Sequence, residues 1–144
     1  LFTNPDSGEN RAYDGAIQET GRKIMGFMFR ILDLEEYFRQ QSHCDKPVSR
    51  AFTLALQVED DFMESNNKTI RLRIEEDRVC QTDAQKADVV LKAKIADLSS
   101  LVVGAIPLET FLWSEQMECS DHAYVQDIQN AIGWSRKPKN YTYF

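Results

Sequence analysis

The stretch FTLALQV at residues 52–58 alternates apolar and polar side chains with a period of two. One face of this stretch is entirely apolar and consists of Phe52, Leu54, Leu56 and Val58. The period is that of a β-strand, in which successive side chains point to opposite faces of the sheet. We therefore predict a half-buried strand here, and a sheet built around it.

Further strands are indicated on both sides of this stretch. Ahead of it, the nearly continuous apolar run at residues 27–32 predicts a strand buried on both faces. After it, alternation returns at residues 70–74 and 88–95, and residues 79–82 follow a tight turn. Short loops join the four strands from residue 52 onward, a pattern typical of a mostly antiparallel sheet.

Cap residues and helical spacing predict four helices, at residues 34–38, 98–103, 107–117 and 121–132. Asp33, with Glu36 three residues later, has the pattern of a capping box for the first helix. Asp97 is expected to cap the second helix, and Gly104 to end it. The predicted fold class is α+β, with a mostly antiparallel β-sheet covered by helices.

The N-terminal residues differ from the rest of the chain. Residues 1–23 are rich in Asn, Asp, Gly, Glu and Ser and show no sustained period, so we predict a connector from an upstream domain. Residues 24–144 are predicted to form the folded domain. Because the chain starts at Leu1 and not at a methionine, we expect it to be a piece of a longer polypeptide.

Charge and composition exclude several classes of function. The formal net charge of −6 argues against a nucleic-acid partner, and an acidic surface is either simply solvated or attracts cationic amines. No apolar run approaches the ~18 residues of a membrane span, so no membrane partner is expected. Three cysteines without a C-x-x-C pair predict free thiols in a reducing cytoplasm and no metal site.

Catalytic and nucleotide-binding motifs are missing from the sequence. It contains neither the G-x-S-x-G pattern of a nucleophile elbow nor a phosphate-binding glycine-rich loop. His43 and Cys44 are adjacent, but one such pair is only a weak indication of a metal or catalytic site. The apolar side chains Leu108, Phe111, Leu112 and Trp113 could line a lipid cavity, although helical aromatic spacing more often belongs to a core.

The chain ends in the aromatic residues NYTYF at 140–144. Aromatic residues at an end suggest docking in an apolar site, which would carry the α-carboxylate of Phe144 with them. Desolvation would there raise the pKa of that carboxylate and make it a better proton acceptor. The alternative is a tail that packs without a catalytic role, and composition alone favours this alternative.

Several segments together resemble the C-terminal domain of GNAT N-acetyltransferases of the enhanced-intracellular-survival type. They are FRILDL at residues 29–34, TDAQKADVVL at 82–91, the Leu98–Gly104 stretch, LFTNP at 1–5 and the aromatic end Tyr143-Phe144. The resemblance covers essentially the whole chain in the same order. It implies a fold like that of sterol carrier proteins, placed after two GNAT lobes of a bacterial enzyme.

In such enzymes acetyl-CoA binds an upstream lobe through an R/Q-x-x-G-x-G/A loop, which this chain lacks. The resemblance therefore implies that the domain is part of an N-acetyltransferase and is not active alone. Its partners would be the upstream GNAT domains of the same chain and a small-molecule or peptide amine. The full-length protein would be a cytoplasmic homo-oligomer.

The resemblance also implies roles for particular residues. The α-carboxylate of Phe144 would act as the general base, while Met28 and Arg30 would border the amine pocket. The general-acid tyrosine of the family would lie upstream. Many relatives have an acidic residue where this chain has Tyr143, so a weaker preference for polycationic aminoglycosides is expected.

Two alternatives from other classes stay open. The first is a lipid- or sterol-binding carrier module, which would need an apolar tunnel on the order of several hundred Å³. The second is a purely structural or oligomerising domain.

Overall fold

The computed structural model of the protein describes residues 29–136. Four helices and five strands follow one another in the order α1 (Leu34–Gln40), β1 (Phe52–Glu59), β2 (Lys68–Glu75), β3 (Arg78–Gln81), β4 (Val89–Lys94), α2 (Ile95–Val102), α3 (Leu108–Trp113), β5 (Met117–Cys119) and α4 (Val125–Ile132). Short 3₁₀ turns at Glu64–Asn66 and His122–Tyr124 precede β2 and α4.

The strands form one sheet in the order β3-β2-β1-β4-β5. The pairs β1–β2, β2–β3 and β4–β5 are antiparallel, and β1 pairs with β4 in parallel. Leu54 lies opposite Leu72 on one side and opposite Val89 on the other. The prediction of an α+β fold with a mostly antiparallel sheet is thus confirmed, with one parallel pair at its centre.

The helices cover one face of the sheet. The apolar positions of the alternating strands point into this layer and are buried with side chains of all four helices, among them Phe38, Leu98, Phe111 and Ile128. Burial of such side chains is the main favourable term in folding. The prediction of a half-buried β1 needs one correction, because Thr53 and Ala55 on its other face are also buried.

The outer edge of β3 is covered by the segment that follows α1. The amide of Val79 donates to the carbonyl of Ser42 at 3.2 Å, and the amide of Cys44 donates to the carbonyl of Asp77 at 2.7 Å. His43 forms an isolated antiparallel bridge with Arg78 between these two bonds. The edge of β3 up to Val79 therefore finds hydrogen-bond partners within the domain.

The first helix begins as predicted, with the Asp33 carboxylate accepting a hydrogen bond from the Glu36 amide at 2.9 Å. Its reciprocal capping-box bond is replaced, since the Glu36 side chain pairs with Arg39 and Gln40. The second helix begins at Ile95, so Asp97 lies inside its first turn and is not its cap. Gly104 ends that helix with φ +72°, as predicted.

Two further predictions are wrong. The helix predicted from Pro107 to Met117 ends at Trp113, and residues 117–119 form β5 instead. The reason is a turn in which Glu115 takes φ 57°, a left-handed conformation that a helix cannot continue through. A strand was predicted at residues 27–32, but its described part, residues 29–32, forms no strand. Of these four side chains, only that of Ile31 is buried in the core.

Candidate functional site

Of the residues that sequence reasoning assigned to a site, Arg30 is described by the structure, whereas Met28 and Phe144 lie outside the described residues. The Nη2 atom of Arg30 bonds to Oδ1 of Asp60, thirty residues further along the chain. Its guanidinium carbon also lies 5.6 Å from the centre of the Phe62 ring, a cation–π distance. Arg30 is therefore held by an acidic and an aromatic partner.

Asp60 lies just after β1 and is a buried carboxylate with several donors. The amides of Phe62 and Met63 both donate to Oδ1 at 2.9 Å, and Nδ2 of Asn66 donates to Oδ2 at 3.0 Å. Burial by itself raises the pKa of Asp60, but the bonds from Met63, Asn66 and Phe62, with the charge of Arg30, outweigh burial and lower the pKa to about 2. Asp60 is therefore ionised at neutral pH, and its low pKa makes it a weak proton acceptor.

Asn66 extends this network to the start of α1. Its Oδ1 accepts from the Leu34 amide at 3.0 Å, and its Nδ2 also donates to the Leu32 carbonyl at 3.2 Å. One buried side chain thus joins the segment entering the domain to the connection between β1 and β2. We call Arg30, Asp60 and Asn66 the entry network.

A cleft of about 510 Å³ opens beside the end of α1, lined by Tyr37, Gln40, Gln41, Ser42, His43, Cys44, Asp45 and Trp134. It contains the adjacent His43 and Cys44 that the sequence singled out. Burial, and then the negative charge of Asp77, raise the pKa of the Cys44 thiol to about 11. Because the thiolate is the nucleophile, this cysteine is poorly suited to catalysis.

A second cleft of about 690 Å³ lies between residues 48–51 and 75–78. Next to it, the buried carboxylate of Asp127 accepts from the Ser49 amide and hydroxyl at 2.7 Å each. The guanidinium carbon of Arg50 lies 3.9 Å from the centre of the Tyr124 ring, and its Nε is 3.5 Å from Asp127. These contacts fasten the start of β1 to α4.

The apolar stripe of α3 divides between core and surface. Leu108 and Phe111 are fully buried, and Leu112 packs partly against them. Trp113 points outward with 87% of its surface exposed. The first two side chains therefore fill the core rather than line a cavity.

Residues 29–136 bring no three His, Cys, Asp or Glu side chains into an arrangement that could hold a metal ion. Within the same range, the helices are all too short to cross a membrane.

Sequence reasoning missed Asp60, Asn66 and Asp127, the buried polar residues that organise these surfaces. Residues 59–68 read as a polar loop, and nothing in their composition distinguishes a buried Asp60 from the exposed Asp61. An Asp in a loop often accepts hydrogen bonds from backbone amides two or three residues further along the chain. This tendency is the one available signal for Asp60.

Comparison with known proteins places this arrangement in a family. The family model of the sterol carrier protein domain matches residues 35–141. A comparison with curated proteins gives no match.

Three solved structures share the fold at low sequence identity. A conserved protein of unknown function from Enterococcus faecalis V583, described as a probable N-acyltransferase, matches with TM-score 0.60 and 22% identity over 73% of this chain and 26% of that chain. Eis1 from Mycobacterium abscessus matches with TM-score 0.57 and 16% identity over 80% and 27%. The sec-alkylsulfatase Pisa1 from Pseudomonas sp. matches with TM-score 0.54 and 19% identity over 75% and 17%.

The chain spans about a quarter or less of the length of each of these neighbours. At these identities the likeness concerns the fold alone. The family model, in contrast, covers well over half of the sequence, including the sheet and all but the first residue of α1. This chain belongs to the sterol carrier protein domain family.

Proposed function

We propose that this chain is the sterol-carrier-like domain of a larger, acetyl-CoA-dependent amine N-acetyltransferase of the enhanced-intracellular-survival type. The observation that carries the proposal is the recurrence of this fold as about a quarter of both Eis1 and a probable N-acyltransferase. The domain offers no acetyl-CoA loop of its own and no activated nucleophile among the described residues. Both features fit a domain that completes an active site built mainly by upstream sequence.

In this proposal the domain closes the amine pocket, and the α-carboxylate of Phe144 acts as general base. Acetyl-CoA would supply the thioester, and the substrate ammonium must lose a proton before its nitrogen can attack. Met28 and Arg30 would border the pocket, since they align with a segment that borders the amine pocket in enzymes of this type. These three assignments rest on the family resemblance.

The test of the enzyme class uses the full-length protein and a panel of primary amines. We expect amine-dependent release of CoA from the full-length protein and none from the 144-residue chain alone. Deleting this domain should abolish amine turnover while acetyl-CoA still binds the remainder. If no amine stimulates CoA release by the full-length protein, the proposal is wrong.

The role of Phe144 is tested separately in the full-length protein. Extending the chain beyond Phe144 converts its α-carboxylate into a peptide carbonyl, whereas Phe144→Leu keeps an α-carboxylate at position 144. We expect the extension to lower kcat strongly, and the substitution to have a smaller effect, with acetyl-CoA affinity unchanged in both. Equal kcat for the extended and unmodified proteins would reject the role of base.

Lipid carriage is a second candidate, which family membership favours. The two clefts described above do not support it, because both are open surface clefts with charged side chains such as Asp45 and Arg50 in their linings, and neither is an enclosed apolar tunnel. Displacement of a fluorescent fatty acid from the 144-residue chain distinguishes the two candidates. Saturable binding would favour a carrier, and its absence together with amine turnover by the full-length protein would favour the enzyme.

A further inference from the structure

The Arg30 side chain connects a buried charge with the surface of the domain. It is 34% exposed, whereas the side chain of its partner Asp60 is fully buried. The guanidinium also lies beside the Phe62 ring, and Phe62 is 85% exposed. A molecule that approaches this surface therefore meets an arginine whose charge is balanced by a carboxylate beneath it.

Asp60 keeps its position independently of Arg30. The amides of Phe62 and Met63 donate to its Oδ1 atom, and the side chain of Asn66 donates to its Oδ2 atom. All three donors belong to the six residues that follow Asp60 in the chain. Burial raises the pKa of Asp60, but these donors and the charge of Arg30 outweigh burial and lower the pKa to about 2. The carboxylate is therefore a fixed negative charge at neutral and alkaline pH.

We propose that Asp60 is a positioning residue of the amine pocket, and that it sets the charge selectivity of this pocket by holding and neutralising Arg30. The inference rests on the proposed function, in which Arg30 borders that pocket. A primary amine such as the lysine side chain has a pKa of about 10.4, so an amine substrate arrives as a cation. An unbalanced guanidinium would repel this cation, and the repulsion would grow with each further positive charge of the substrate.

The proposal assigns opposite effects to the two partners of the ion pair. Asp60→Asn leaves the positive charge of Arg30 unbalanced and should disfavour substrates with two positive charges. Arg30→Gln leaves the negative charge of Asp60 unbalanced, because the carboxylate retains its three other donors, and should favour such substrates. The double variant removes both charges and should restore the preference of the parent. A merely structural role of the pair would lower the turnover of all amines alike.

The experiment uses the full-length protein and two amines, cadaverine and pentylamine, whose carbon chains are equally long and whose charges differ by one. The measured quantity is the ratio of kcat/KM for cadaverine to kcat/KM for pentylamine, at low ionic strength so that screening is weak. We expect Asp60→Asn to lower this ratio about fivefold, mainly through KM, and Arg30→Gln to raise it by a similar factor. The double variant should stay within about twofold of the parent.

Asp127→Asn is the matched control. Asp127 is also buried, and its partner Arg50 also lies against an aromatic ring, that of Tyr124. This variant should lower the midpoint of thermal unfolding, as Asp60→Asn does, and should leave the ratio unchanged. All assays are run below the lowest midpoint. If Asp60→Asn does not fold, the sign of the change in Arg30→Gln decides, because Arg30 is partly exposed and its loss leaves the other bonds of Asp60 intact.

Three results would overturn this inference while the proposed function stands. They are an unchanged ratio in Asp60→Asn and Arg30→Gln, a change of the same sign in both, and an equal loss of turnover for the two amines. Absence of amine turnover in the parent protein would instead reject the proposed function, and this inference with it. The two failures are thus distinguished by the activity of the parent.

Discussion

The side-chain amide of Asn66 donates at 3.0 Å to the carboxylate of Asp60, and both side chains are buried. Asn66 also holds the Leu32 carbonyl and the Leu34 amide, so its removal leaves buried groups of both segments without partners. We expect Asn66→Ala to lower the free energy of unfolding by about 2 to 4 kcal/mol. Urea denaturation measures this change.

Asn67→Ala, at the exposed neighbouring position, is the control and should lower the free energy of unfolding by less than about 0.5 kcal/mol. Similar losses in both variants would contradict the importance of the network.

The low pKa of Asp60 predicts that the stability of the domain depends on pH. Folding lowers the pKa of Asp60 from its ordinary 3.8 to about 2, so the folded state holds this proton more weakly than the unfolded state. The stabilisation is therefore complete above about pH 4 and is lost as the pH falls towards 2. Asp60→Asn should be less stable than the parent at pH 7, and the difference should shrink between pH 4 and pH 2. Asp61→Asn, in which an exposed carboxylate is changed, should follow the parent curve.

Gly104 and Glu115 both have a left-handed backbone conformation, and substitutions at these two positions should change the stability in opposite directions. Gly104 has φ +72°, and an added Cβ would lie 2.6 Å from the Arg136 carbonyl oxygen and 2.7 Å from that of Trp134. Gly104→Ala should therefore destabilise the domain by about 2 kcal/mol or more. Glu115 has φ 57° at an exposed position, so Glu115→Gly should be neutral or stabilise by up to about 1 kcal/mol. Thermal unfolding of both variants checks the signs, and a stabilised Gly104→Ala would refute the turn geometry.

The three cysteines should differ in their reactivity. Cys80 is exposed, whereas burial raises the pKa of both Cys44 and Cys119. At pH 8 a thiol with a pKa of about 11 is only about 0.1% thiolate, so Cys44 should react slowest with iodoacetamide and Cys80 fastest. Mass spectrometry of the alkylated peptides follows the three rates, and unfolded protein provides the reference. A Cys44 that reacts as fast as Cys80 would restore it as a candidate nucleophile.

Much of the sheet could be predicted because its signal is local. The alternation at residues 52–58 and 70–74 follows from one buried face, and that pattern is visible in any single strand. The parallel pairing of β1 with β4 could not be read in this way, since it depends on which side of β1 the hairpin β2–β3 leaves free. The three residues of β5 are too few to show any period.

The polar residues that organise the surface were harder to predict. The donors to Asp127 come from Ser49, 78 residues away, and Asp60 adds the distant Arg30 to its nearby amide donors. No local pattern reveals a partner thirty or more residues away. Arg30 was assigned to the amine pocket from the resemblance alone. The structure adds its ion pair with Asp60, and contact with a substrate stays a prediction.

The segment that covers β3 has a consequence for aggregation. Exposed strand edges are templates on which neighbouring molecules can add strands. On the β3 side, the backbone bonds with Ser42 and Cys44 already occupy the part of that template up to Val79. On the other side, protection comes from the shortness of β5 and from charges such as Glu118 and Lys92, which pair at 2.9 Å. Fibril growth, if provoked by heat or acid, should therefore start from the β5 side of the molecule.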